Sequence, residues 1–330
     1  MSSKISGFFS KLALFVAVIA CFTLYGLYES KLEWENNLKE SVTILIKPGT
    51  SRLDIGKILK RHHLIEDEYF FFGYTKIIQS QKNLKAGEYE FFPKEKFTDI
   101  VRKITEGEVK IRKITIPEGL TSYQIQKILE NEDAAMGNVP VISEEGIVFP
   151  DTYHFSYGET KNEIYQKMRA KMDEVLNSLS DKINPESNIS DVKKLVILAS
   201  IIEKEAKLDE EKPIIASVFL NRLKIGMPLQ SDPTALYAIT HGRSVELGRM
   251  PRGEDMKIDS PYNTYKVKGL PPGAIGSPGL GALKAALFPA DTNYLYFVTD
   301  GKSGKHIFSE SYEEHLKNIR LIAESNKNGN

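Results

Sequence analysis

Residues 190–208, SDVKKLVILASIIEKEAKL, decide how this chain is read. Ser190 and Asp191 offer an N-cap, because a short polar side chain there accepts a hydrogen bond from the first helical turn. The spacing predicts a helix in which Leu198, Ile201, Ile202, Glu205 and Leu208 follow i, i+3, i+4, i+7, i+10 along one buried stripe. Glu205 therefore interrupts an apolar face. Burial disfavours an ionised carboxylate and raises its pKa, as a general acid working near neutral pH requires. Glu203 is turned by about 200° from Glu205 and faces elsewhere. Spacing alone leaves a second reading open, in which Glu205 marks the helix end where the stripe reaches solvent.

Downstream, Pro213 to Lys224 reads as a second amphipathic helix, with Ile214, Ile215, Val218, Phe219 and Leu223 on its apolar side. It stops at Gly226. Then come LQSDPT (Leu229–Thr234), SPYNTY (Ser260–Tyr265), GLPPGAIGSPG (Gly269–Gly279) and YLYFVTDG (Tyr294–Gly301). The Gly/Pro run lacks the spacings of a phosphate-binding loop and reads as a rigid wall. His306 and Phe308 fall in an expected hairpin after Asp300 and Gly301, where a structural histidine fits.

Upstream, a strand, a Pro/Gly turn and a capped short helix recur. Val42–Ile46 precedes Lys47-Pro48-Gly49, and Thr50 or Ser51 then caps a helix carrying Leu53, Ile55, Ile58 and Leu59. Ile114–Ile116 precedes Pro117-Glu118-Gly119, and Thr121 or Ser122 caps one carrying Tyr123, Ile125, Ile128 and Leu129. A partial copy runs from Tyr89 to Pro93 and on through Phe97, Ile100, Val101 and Ile104. Residues 132–146 read as a polar loop, residues 162–179 as a helix, and 326–330 as a frayed tail. Small repeated strand–helix units followed by a mixed domain place the chain in the α+β class.

The N-terminus belongs to neither. Lys4 and Lys11 precede Leu12–Tyr28, a run of 17 residues without charge. That is the short end of a membrane span, and the flanking lysines predict a cytoplasmic N-terminus with everything after Glu29 outside. Val18-Ile19-Ala20-Cys21 loosely resembles a lipoprotein box, so lipidation of Cys21 is the rival anchor; the apolar run continues beyond it, which a lipoprotein does not need.

Composition removes several classes. Lys+Arg and Asp+Glu are equal at 44 each, so no basic excess advertises a nucleic-acid partner. One cysteine excludes a disulfide framework and a cysteine-rich zinc site. The six histidines show no HExxH spacing, so no metal is expected, nor any cofactor; GxSxG is absent, which argues against serine acyl transfer.

Taken together, ASIIEKEA (Ala199–Ala206), SVFLNRL (Ser217–Leu223), LQSDPT, SPYNTY, GLPPGAIGSPG and YLYFVTDG resemble the YceG/MltG family of endolytic murein transglycosylases. The match runs from the membrane helix through Phe308 in several ordered motifs. The strand–turn–helix units, more weakly, resemble the LysM module that binds N-acetylglucosamine polymers. The resemblance implies a cytoplasmic tail (1–11), a transmembrane helix (12–28), a linker (29–41), a LysM-like subdomain (42–111) and a YceG-like catalytic domain (112–330). It implies a lyase of the cell (inner) membrane, with its catalytic domain extracytoplasmic. The enzyme would cut peptidoglycan glycan strands between N-acetylmuramic acid and N-acetylglucosamine, leaving a 1,6-anhydro end, alongside penicillin-binding peptidoglycan synthases. The second Glu of the family's E-K-E triplet is catalytic, and it falls on Glu205. Near it, Gln230, Ser231, Asp232, Tyr262, Asn263 and Tyr265 are candidate saccharide contacts, since a ring can stack on a sugar while amide and hydroxyl groups bond to it. Asp232 has a competing role as the cap of a helix after Pro233, and SPYNTY a competing role as an ordinary turn. Two other functions compete. A non-catalytic wall-binding scaffold would have no use for a glutamate in an apolar stripe. A hydrolase would need a second carboxylate to activate water.

Overall fold

The computed structural model describes residues 2–78, 83–243, 253–300 and 303–328. They divide into two compact units, Met1–Arg112 with Ser156–Gly158, and Lys113–Phe155 with Glu159–Asn330. Both are mixed α and β, with sheets of two strands only among the described residues.

The first unit opens with α1 (Ser2–Leu32), whose stretch Lys11–Leu32 contains an 18-residue window with a mean hydropathy of 1.9 and is long and apolar enough to cross a membrane. Cys21 is exposed on it. Then follow β1 (Val42–Ile46), α2 (Arg52–Arg61), α3 (Glu68–Ile78), β2 (Gly87–Phe91) and α4 (Phe97–Glu106). β1 and β2 pair antiparallel, with Ile44 opposite Tyr89 and Ile46 opposite Gly87. Their inward residues meet Ile55, Leu59, Phe71, Phe97, Ile100 and Ile104 in one core. Ser51 is the residue that caps α2, accepting from the Asp54 amide. Gly56 lets α2 and α3 touch, because a Cβ there would stand 3.1 Å from the Glu68 carbonyl and from the Phe71 ring. α3 carries no periodic signal, since EYFFFGYTKII has no polar face to set a helical period.

The second unit takes up the chain within β3 (Ile111–Thr115), which pairs with β4 (Thr152–Ser156). Between them lies α5 (Ser122–Glu130), capped by Thr121 in a full capping box with Gln124. The remaining helices are α6 (Lys161–Ser180), α7 (Val192–Glu205), α8 (Lys212–Lys224), α9 (Asp232–Thr240), α10 (Leu280–Leu287) and α11 (Tyr312–Asn328). The expected hairpin is present as β5 (Tyr296–Thr299) against β6 (His306–Ser309). There the buried Glu211 carboxyl accepts from the His306 amide at 2.9 Å and meets Nδ1 at 2.7 Å.

α7 is the centre of this unit, and it departs from the expected single stripe. Every residue from Leu195 to Ile202 is buried, so the helix is enclosed all round rather than along one face. α8, α9 and α10 pack against it, α10 through the small Ala282, Ala285 and Ala286. α7 also ends sooner than the stripe predicts. Glu205 is its last residue and Leu208 lies beyond, with an exposed acidic turn at Asp209 and Glu210 following.

Candidate active site

At the end of α7 the two glutamates part as their spacing predicts. The Glu203 side chain is only 6% exposed; one oxygen meets Lys212 Nζ at 2.9 Å and the other accepts from the Gly279 amide at 2.9 Å. Lys212, itself 4% exposed on the side chain, also reaches Asp209 at 2.7 Å and Glu118 at 3.5 Å. These charges hold α7, α8 and the start of α10 together, and their pairing keeps the lysine protonated.

Glu205 turns the other way, toward the loop before α9. The Ser231 hydroxyl donates to its Oε1 at 2.6 Å. Although part of the residue reaches solvent, its carboxyl is enclosed by protein, and that burial pushes its pKa up to about 7. The Asp232 charge adds to the rise; the Ser231 hydrogen bond and the Arg222 guanidinium oppose it. A carboxylic acid poised there can give a proton at neutral pH and take one back.

The loop that presents Ser231 is built from hydroxyls. Thr264 Oγ1 accepts from the Ser231 amide at 3.0 Å and lies 2.7 Å from Thr234 Oγ1, which donates to the Ser231 carbonyl at 2.7 Å. All three residues are buried. Gln230 enters this turn at φ 51°, a left-handed conformation held by its amide's bond to the Thr264 carbonyl at 3.1 Å. Arg222, 6% exposed, is anchored by the Leu295 and Leu229 carbonyls, each at 2.6 Å.

Two cavities flank α9. One of about 350 Å³ is lined by Thr121, Lys204, Asp232, Tyr237 and Ile275, among others. The other, about 660 Å³, runs past Glu145, Arg169, Lys193, Tyr237, Tyr262 and Pro272. Glu205 lines neither; the first comes up to it at Asp232. Among the described residues no group of three or more His, Cys, Asp or Glu is placed to hold a metal ion.

With this geometry in view, the family model described as the YceG-like family matches residues 44–321. The chain belongs to the YceG-like family. It is 34% identical over 328 residues to the endolytic murein transglycosylase of Bacillus subtilis (strain 168), covering 89% of this chain and 88% of that protein. It is 29% identical to the endolytic murein transglycosylase of Streptococcus pneumoniae serotype 2 (strain D39 / NCTC 7466), covering 96% of this chain and 65% of the pneumococcal protein's longer sequence. A crystal structure of a putative yceG-like protein from Listeria monocytogenes superposes with a TM-score of 0.51 at 35% identity, covering 85% of this chain and 99% of that one.

The motifs that carry the family resemblance divide by role. Ser231 and Asp232 gather at Glu205, and Tyr265 joins them by donating its hydroxyl to Asp232 Oδ1 at 2.5 Å. Asp232 is not the cap of α9. Ser231 holds that position, yet its hydroxyl is spent on Glu205 and gives the helix no side-chain cap. Tyr262 stands apart on the wall of the larger cavity, its ring 4.8 Å from that of Tyr237. Gly273 makes room for it, since a Cβ there would fall 2.7 Å from the Tyr262 hydroxyl. The Gln230 side chain is exposed. Asn263 does not fit the saccharide contact expected of it: it is fully buried, and its amide donates to the Met256 and Ile258 carbonyls at 2.9 and 2.8 Å. It fastens the loop instead. The Gly/Pro run does form a wall, with Pro272, Gly273 and Ala274 on one cavity and Ile275 on the other.

Sequence reasoning missed Glu145, Arg222 and Thr264. Glu145 is a second enclosed carboxyl, raised by burial, that accepts from the Ser122 amide at 2.7 Å and the Tyr237 hydroxyl at 3.4 Å. It sits in a polar loop without periodicity, so nothing local marked it. Arg222 lay within a quoted motif, but an arginine in an amphipathic helix reads as surface until its partners are seen.

Proposed function

We propose that the chain is an endolytic murein transglycosylase, a lyase that cuts the bond between N-acetylmuramic acid and N-acetylglucosamine in peptidoglycan glycan strands, with Glu205 as its acid. The observation that carries the reading is a single carboxyl, raised to about 7 by burial and aligned by Ser231, at the centre of the family's motifs. Protonated Glu205 gives its proton to the bridging oxygen as the bond from muramyl C1 breaks. The muramyl C6 hydroxyl closes on C1, and its proton returns to the Glu205 carboxylate. The products are a 1,6-anhydro-muramyl end and a free 4-hydroxyl on the N-acetylglucosamine. Because the nucleophile is already part of the substrate, one residue serves as acid and then base.

Asp232 and Tyr265 border the reacting region, and Tyr262 with Tyr237 offers aromatic surface to sugar rings further along. We read α1 as a single span with Lys4 and Lys11 on the cytoplasmic side, so a reporter fused after Asn330 is active only if it works outside the cytoplasm. A tether at the inner membrane holds the enzyme where glycan strands are polymerised, which makes a peptidoglycan synthase the partner this reading implies. The βααβ order of β1, α2, α3 and β2 is compatible with a LysM-like glycan-binding role for the first unit.

A hydrolase is the second reading, favoured by Asp232, whose charge lies close enough to raise Glu205. Digestion of sacculi in ¹⁸O-water separates the two by mass spectrometry. Anhydro ends without label are expected; labelled reducing ends would sink the transglycosylase and leave Glu205 as an acid.

A further inference from the structure

The outer face of α3 is apolar where a helix in water would be polar. Tyr69, Phe72, Lys76 and Ile77 fall at i, i+3, i+7 and i+8, on the side opposite the buried Phe71 and Thr75. Tyr69 is 70% exposed and Ile77 77%. The one charge on this face, Lys76, has its ammonium 6.0 Å from the centre of the Phe72 ring.

The contacts of α3 with α1 say what lies against that face. Asp67, just before α3, pairs with Lys31 at 2.8 Å. One turn on, the Phe70 ring meets the Tyr28 ring at 5.9 Å and the Lys31 ammonium at 5.3 Å. A further turn on, the Tyr74 ring stacks with that of Phe70 at 6.1 Å. Each of these contacts on α1 falls on Tyr28 or Lys31, at its C-terminal end. α3 therefore begins where the uncharged run Leu12–Tyr28 comes to its end.

We propose that the outer face of α3 rests on the leaflet in which α1 ends, with Phe72 and Ile77 at the edge of the acyl chains and Lys76 reaching to the phosphate layer. Its ligand is the lipid surface itself. An apolar face with a flanking lysine is what an interfacial helix presents, and tyrosines such as Tyr25, Tyr28 and Tyr69 suit the boundary between acyl chains and headgroups. The first unit would then be held against the bilayer by two helices rather than swinging on one. This rests on reading α1 as a membrane span.

The test uses the full chain in vesicles of phosphatidylcholine and phosphatidylglycerol, with Cys21→Ser removing the one native thiol. Single cysteines replace Ile77, Leu14 (mid-span) and Lys57 (exposed on α2), and each carries an environment-sensitive fluorophore. Lipids with a spin label near the headgroup serve as quenchers. Emission at position 77 should shift blue relative to position 57 and be quenched at least half as strongly as at a reference cysteine replacing Leu24. Quenching at position 14 but water-like emission at 77 would overturn the docking and leave the span intact. A blue shift at 77 without lipid quenching would assign the face to a protein and also overturn it. No quenching at either position would overturn both docking and span.

Discussion

Glu205 and Glu203 stand two residues apart and should fail in opposite ways when replaced. Glu205→Gln keeps the shape of the side chain but removes the transferable proton, so activity on glycan strands should drop at least about a hundredfold. In alkali it should be more stable than the parent protein. The folded pKa of about 7 lies above the ordinary 4.5, so the folded state holds its proton more tightly than the unfolded one. The stability this carboxyl contributes is full below pH 4.5 and is lost as pH climbs through 7. The glutamine variant escapes that loss, worth on the order of 3 kcal/mol at most, and denaturant melts at pH 5 and pH 8.5 would reveal it as a gap that widens with pH. Glu203→Gln should instead lower the melting temperature while sparing catalysis, because it leaves buried Lys212 with weaker partners. Loss of activity without loss of stability in that variant would reverse the assignment of the two. Ser231→Ala is the finer probe. Its hydroxyl holds the Glu205 pKa down, so removing it should move the alkaline limb of the pH–rate profile upward, whatever it does to the maximal rate. A downward move would mean that Ser231 stabilises the protonated acid.

Elements were legible where a cap met a period. Asp191 caps α7 by accepting from the Lys194 amide at 2.8 Å, as the sequence indicated. Asp191→Ala should lower stability by about 1 kcal/mol, the usual worth of such a cap, measured by urea melts; since Glu205 sits at the far end of the helix, the rate should hardly change. The helix read at residues 162–179 is α6 to within one residue at each end, and the structure adds the Thr160–Glu163 capping box that fixes its start. The far end of α7 was less legible. Leu208 kept the apolar period going on paper, but a period cannot say where the backbone turns away. Ala206 leaves the helix at ψ 116°, and its departure is fixed by neighbours distant in sequence: Ser231 for Glu205, Lys212 and Gly279 for Glu203. Asn263 was misjudged for a related reason. An amide among tyrosines reads as a sugar contact until its loop is seen to fold over it.

At the scale of the molecule, the α+β class and the apolar N-terminal helix were both in the sequence, through turn chemistry and hydropathy. The smallness of the sheets was not, because strand pairing joins residues such as Val42 and Phe91 that no local pattern connects. A chain begun at Glu29 omits the uncharged run yet keeps Leu32 and Leu38, which pack on the core of the first unit. It should remain folded in mild detergent and cut soluble glycan strands at an unchanged rate. Aggregation of this form without detergent, with the circular dichroism of the remainder intact, would show that apolar surface beyond α1 needs lipid, as the outer face of α3 does on the reading above.

The end of α7 at Glu205 has a further electrostatic consequence. Aligned peptide dipoles leave about half a negative charge at the C-terminus of a helix, repelling an anion in the last turn by roughly 0.3–1 kcal/mol. The same carboxyl in a first turn would be drawn toward ionisation by an equal and opposite field. The chain thus sets its candidate acid at the end of a helix that least welcomes a carboxylate, and the backbone itself helps to keep the proton in place until a glycosidic oxygen arrives to take it.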